Sequence, residues 1–188
     1  MDGRTTEQPG VNRRYWNLLT FDSVASMFPP EQFCTFALAY LDSAERLCRT
    51  LARSHRKATY ARGSVVLYLD AHAVELFLKG AILHKKPTER FGHNLEHLFD
   101  RYNKLYPAKK YRFELPFGAG YDGLSKSEII TAKSVSPPTD QLYRYPQDKD
   151  GKPWPGLFAF EANSFLEVLR SLRVDFERLF KQFGKHGG

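Results

Sequence analysis

The stretch from Ala61 to Lys85 leaves this chain little freedom in how it folds. Val65, Val66, Leu67, Leu69, Val74, Leu76, Phe77, Leu78, Ile82 and Leu83 cover so much of a helix's circumference that only a narrow polar stripe remains. A helix of that kind has to be surrounded, and the sequence supplies three amphipathic partners. From Glu31 to Arg53, Phe33, Ala37, Tyr40, Leu41, Ala44, Leu47, Cys48 and Leu51 recur at three- and four-residue spacing. From Asn94, Leu95, Leu98, Phe99, Tyr102 and Leu105 form another apolar face, which stops at Pro107. Near the C-terminus, Phe165, Val168, Leu169, Leu172, Phe176, Leu179, Phe180 and Phe183 form the last, opened by a Ser164 and Glu167 at capping-box spacing. The pattern predicts an all-α, up-and-down bundle of four main helices, with the two helices flanking Pro87 as antiparallel neighbours.

A chain of 188 residues suits one core. The expected organisation is an N-terminal arm over residues 1–29, then a single helical domain over 30–188. Within that domain, residues 108–156 form a loop-rich insert before the last helix, dense in Gly, Pro, Tyr and charged residues. An insert of this length is unusual in a compact bundle and often functional. Gln141 to Tyr145 reads as a short extended segment that turns back at Asp150-Gly151 toward Trp154, a short hairpin. Ser127 to Ala132 reads as one or two helical turns.

No apolar run approaches the roughly 20 residues that span a bilayer, and Met1 to Pro9 has no signal-peptide core, so a cytoplasmic protein without membrane contact is expected. Cys34 and Cys48 fall on one predicted helix about 21 Å apart, too far for a disulfide and outside any Cys-x-x-Cys spacing. They read as small buried apolar side chains. The formal net charge of +7 favours phosphate or an acidic partner.

Three polar constellations stand out. On the Ala61–Lys85 helix, Tyr68, His72, Glu75 and Lys79 lie within about 60° of one another and share one face. That face is either a solvated stripe with one i, i+4 ion pair, or part of a network that also takes in His93 and Arg144. At the end of the first helix, Arg46, Arg49, Arg53 and Arg56 form a single cationic face beside Lys57. It suits nucleic-acid phosphate, and equally the negative end of the helix dipole. His72 and His93 each stand three residues before a glutamate, the reverse of the Glu-x-x-His order used in carboxylate-bridged di-metal bundles. No metal and no cofactor is expected. The Gly-x-Ser-x-Gly elbow, the P-loop and His-Glu-x-x-His are absent from the sequence.

The segment Ala71-His72-Ala73-Val74-Glu75-Leu76-Phe77-Leu78-Lys79-Gly80, the Gly92-His93-Asn94-Leu95 turn that opens a helix, and Tyr143-Arg144-Tyr145-Pro146 before the last helix resemble the HEPN family. The likeness is strongest from Tyr60 to Asp100. It implies an all-α bundle, commonly a homodimer, associated with RNA in prokaryotic defence or toxin-antitoxin systems. It also implies, for active members, a metal-independent ribonuclease built on an arginine followed by four to six residues and a histidine. Arg49 with His55 and Arg90 with His97 have that spacing. Six histidines, three permitted spacings and 15 arginines in 188 positions give about 1.4 such pairs by chance, so the two pairs carry no weight of their own. Arg178 and His186 fall just outside the spacing. The expectation is therefore an RNA-associated protein that is non-catalytic or catalytically divergent. The alternatives are a metal-independent ribonuclease, and a module that binds a protein partner such as an antitoxin through the aromatic insert at Tyr143, Tyr145, Trp154 and Phe158.

Overall fold

The computed structural model describes residues 19–54, 56–116, 125–127, 131, 142–154 and 160–184. Among them are five α-helices and no strand. These are α1 (Asp22–Ala25), α2 (Pro29–Ala52), α3 (Tyr60–Lys85), α4 (Leu95–Leu105) and α5 (Ala162–Gly184), with a 3₁₀ turn at Lys109–Tyr111. The protein is all-α. No described helix is long and apolar enough to cross a membrane.

α2 begins at Pro29, whose fixed φ suits a first helical position, and the Glu31 carboxylate accepts the Phe28 N–H at 3.2 Å. Its buried face, Cys34, Ala37, Leu41, Ala44, Cys48 and Leu51, lies along α3. The two helices run in opposite directions: Tyr40 meets His72, and further along α3 Gly80 meets Pro30 and Cys34. Gly80 is needed for that approach. A Cβ there would stand 2.9 Å from the Pro30 carbonyl oxygen and 3.0 Å from Cys34 Sγ. Both cysteines are free and buried, and burial pushes the Cys34 thiol up to about 12.

α3 is the central element, packed against α2, α4 and α5. Phe77 stacks on Phe176 of α5 at 3.9 Å between ring centres and meets Phe113 edge-on at 5.8 Å. Dispersion among such rings adds to the area they remove from water. α5 lies antiparallel to α2, since Cys48 donates to the Ala162 carbonyl at 3.2 Å while Asp42 and Glu45, earlier in α2, reach Arg173, later in α5.

Two local expectations change. α4 is a neighbour of α3 but advances with it: His93, just before α4, lies against Glu75, and Tyr106, just after it, donates to the Ala81 carbonyl at 2.8 Å. Residues 86–94 retrace the end of α3 before α4 starts, so no helical hairpin forms there. The cap of α5 is not Ser164 with Glu167. The Glu161 carboxylate accepts the N–H groups of Asn163 at 3.0 Å and Ser164 at 2.6 Å, which starts the helix at Ala162 and leaves Glu167 to pair with Arg170.

In the insert, the chain turns at Asp148–Gly151, where Gly151 has φ +77° and the Asp148 carboxylate accepts the N–H groups of Asp150 and Lys152. One antiparallel bridge joins Gln147 to Pro153, and Trp154 Nε1 donates to the Tyr145 carbonyl at 2.8 Å. The chain thus returns on itself at the expected turn, one bridge long, but residues 142–144 form a helical turn rather than the extended segment expected there, and the bridge lies beyond them. Of the Ser127–Ala132 turn, Thr131 Oγ1 bonds the Ser127 carbonyl at 3.0 Å; Ala132, Gln141 and residues 1–18 of the arm lie outside the described residues.

Candidate functional site

Glu75 organises the polar face of α3. Its Oε1 accepts from Lys79 Nζ at 2.6 Å and lies 3.0 Å from His93 Nδ1; its Oε2 is 3.9 Å from His72 Nδ1, beyond hydrogen-bond length. Lys79 is one turn on along the same helix, whereas His93 arrives because residues 86–94 fold back. Glu75 and Lys79 are buried, and the His93 side chain is 72 % exposed. Burial works to raise the Glu75 pKa, but the interactions with His72, Lys79 and His93 overcome it and hold the carboxyl at about 2. Glu75 is thus an anion at neutral pH and can only accept. His93 must donate through Nδ1, which turns Nε2 to the solvent as a lone-pair acceptor while the ring is neutral.

His72 is held in an aromatic stack. Tyr40 of α2 meets its ring edge-on at 4.6 Å, and Tyr68 stacks on it at 5.9 Å. The Arg144 guanidinium lies 5.4 Å from the Tyr68 ring centre and its Nη2 donates to the Tyr68 hydroxyl at 3.5 Å. The structure therefore brings His72, Glu75, Lys79 and His93 together directly, and attaches Arg144 through Tyr68 rather than through Glu75.

The arginine face divides in two. Arg46 pairs with Asp42 at 2.6 Å, and Arg49 pairs with Glu45. Arg173 of α5 ties both carboxylates together, with Nε 2.8 Å from Glu45 and Nη2 3.3 Å from Asp42. Arg46 and Arg49 thus belong to a five-residue ionic network that staples α2 to α5. Arg53 and Arg56 are exposed and have no ion-pair partner among the described residues. Exposed Lys57 and Arg62 adjoin them, with Arg62 Nη1 donating to the Lys57 carbonyl at 3.4 Å.

Of the arginine–histidine pairs, His55 and His186 lie outside the described residues. Arg90 is exposed before α4, and His97 is an exposed first-turn residue whose N–H donates to the capping Asn94 side chain at 2.9 Å. In the insert, Tyr143 is half-buried and its carbonyl accepts from Ser64, Trp154 is half-buried against Tyr145, Tyr145 itself is exposed, and Phe158 lies outside the described residues.

Sequence reasoning passes over one buried group. Asp70 is fully buried on α3, and neither carboxylate oxygen has a hydrogen-bond partner among the described residues. Burial raises its pKa to about 8, so it is held neutral in the folded protein at pH 7. Its field reaches Cys48 and Tyr143, and burial pushes the Cys48 thiol up to about 11. The available signal was Asp70's position four residues from Val66 and from Val74, on the apolar face.

Among the described residues, no three His, Cys, Asp or Glu side chains are grouped to hold a metal. Compared with known proteins, the chain matches no family model, no curated protein and no solved structure.

Proposed function

We propose that the chain is a HEPN-like, RNA-associated protein of the defence or toxin-antitoxin kind, acting by binding. The observation that carries this reading is the corner between α2 and α3. There Arg53, Arg56, Lys57 and Arg62 are exposed within ten residues, with no carboxylate paired to them among the described residues. Desolvating such cations is cheapest against phosphate, which releases counterions. The resemblance supplies the rest of the reading: a cytoplasmic homodimer with an antitoxin or another protein as partner.

The test is binding of the full chain to mixed structured and single-stranded RNA in EDTA at two salt concentrations. Affinity should fall steeply with salt, and Arg53→Glu/Arg56→Glu should lower it at least tenfold at low salt. Binding that ignores both salt and that double substitution overturns the reading.

One observation favours a second reading, a metal-independent ribonuclease. An ionised Glu75 that orients His93 at 3.0 Å is the arrangement of a carboxylate-positioned general base, and it uses neither arginine–histidine pair. Cleavage in EDTA lost in His93→Ala and retained in His97→Ala would establish it. No cleavage by the unaltered chain would remove it.

A further inference from the structure

At the opposite end of the bundle from that corner, α3 and α5 finish side by side, with Phe183 stacked on His84 at 5.4 Å. The 3₁₀ turn docks onto this end. Arg178 of α5 donates to the carbonyl of Lys110 and, at 2.9 Å, to that of Arg112, while Tyr102 donates to the Tyr111 carbonyl at 2.5 Å. These bonds hold the backbone of residues 110–112 and leave the side chains of Lys109, Lys110 and Arg112 exposed. Lys110 Nζ lies 4.9 Å from the centre of the half-buried Tyr111 ring, and Lys85 Nζ lies 5.6 Å from that of Tyr106.

Some of this charge has an internal use. Lys85 and Lys181 stand in the last turns of α3 and α5, where cations offset the helix dipole. Arg178 is paired with Asp175 at 2.7 Å. Lys109, Lys110 and Arg112 serve no long helix and have no ion-pair partner among the described residues; Glu114, two residues on, is an exposed carboxylate. Three exposed cations on an anchored backbone, beside a half-buried tyrosine ring, make the combination that tracks a phosphate backbone and stacks a base.

We propose that this end is a second contact surface for single-stranded RNA, with Lys109, Lys110 and Arg112 on phosphates and Tyr111 as the stacking platform. It rests on the RNA reading above and adds a site to it. The 26 residues of α3 place the two surfaces about 39 Å apart, so one strand long enough to reach both is held at two points and a short one at a single point.

The experiment measures binding of uridine homopolymers of roughly 6 and 30 nucleotides to the full chain across a salt series. The longer strand should bind more than tenfold tighter. Lys109→Gln/Lys110→Gln should remove that advantage and make the slope of log affinity against log salt shallower by about 1.4, at 0.7 per phosphate contact. Tyr111→Leu, which keeps apolar bulk beneath the turn, should weaken binding roughly tenfold with the slope unchanged. Unchanged thermal unfolding of the lysine variant shows that the fold is intact, and if Tyr111→Leu unfolds, the lysine pair decides alone. Wild-type behaviour of the lysine variant, with binding lost in Arg53→Glu/Arg56→Glu, sinks the second surface and leaves the RNA reading standing. An unaltered chain that ignores RNA but binds phosphatidylserine vesicles sinks both.

Discussion

Asp70 and Glu75 stand five residues apart on α3, both buried, and the fold treats them in opposite ways. Glu75 has an ammonium and two imidazoles around it and stays ionised down to about pH 2. Asp70 has no hydrogen-bond partner for either oxygen among the described residues and holds its proton up to about pH 8. Their angular separation of about 140° explains the difference. Glu75 faces the seam where residues 86–94 return and bring in His93, whereas Asp70 lies among core residues near Cys48 and Tyr143. Burial penalises charge at both positions, and the partner set decides which form survives.

Removing the partner set from Glu75 should therefore make it resemble Asp70. Lys79→Met leaves a buried carboxylate with only the two imidazoles of His72 and the exposed His93 beside it, and should cost about 3–5 kcal/mol in urea unfolding. The double variant Glu75→Leu/Lys79→Met should regain most of that loss, because no buried charge is then left alone. If Lys79→Met costs less than about 1 kcal/mol, the pair is not the source of Glu75's ionised state.

The two carboxyls also pull stability in opposite directions with pH. The Glu75 pKa is lowered on folding, so its contribution is complete above about 4.5 and is lost as pH falls toward 2. The Asp70 pKa is raised, so between about 3.8 and 8 the unfolded chain has released a proton that the folded chain keeps. Stability then declines as pH rises through that window, by up to about 1.4 kcal/mol per unit. Taken together, these two groups place the stability maximum near pH 4–5, on the acid side of neutrality. Asp70→Asn should flatten the decline between pH 5 and 8 while leaving the acid limb in place. A decline that survives in Asp70→Asn assigns it to another group.

Helices are legible in this sequence because their apolar spacing reports directly on which faces are covered; the bounds of α2 to α5 fall within a few residues of the periodic runs. The direction of α4 is not legible, since Pro87 announces a break but not that nine residues will retrace α3 before Asn94 caps the next helix. The stripe Tyr68, His72, Glu75 and Lys79 is readable from spacing alone, because one helix carries it. What spacing does not carry is charge compensation between helices. Arg46 and Arg49 read as free cations until α5 brings Arg173 against Asp42 and Glu45, a contact across 131 positions of chain. Asp70 shows the same limit from the other side: its place on an apolar face is visible, but that no described residue bonds its carboxyl depends on how the other elements pack around α3.

The smallest structural effect bears on the second functional reading. His93 shares Oε1 of Glu75 with Lys79, but its side chain is largely in solvent, so its bond to the carboxylate is weakly held. His93→Gln should change stability by less than about 1 kcal/mol, because His72 and Lys79 still favour the ionised Glu75 and glutamine can still donate to it. Glutamine cannot take up a proton, however, so any acid–base chemistry at this site should vanish in a protein that melts like the original. A destabilisation well above that bound would make His93 a structural member of the Glu75 cluster, with its ring nitrogen spent on holding residues 86–94 against α3. A stable His93→Gln that still cleaves RNA would confine the ribonuclease reading to Arg90 with His97 and Arg49 with His55. The first outcome would make Glu75 a positioning residue for solvent-facing chemistry, and the other two would leave it, like Asp70, a matter of how this core balances its charges.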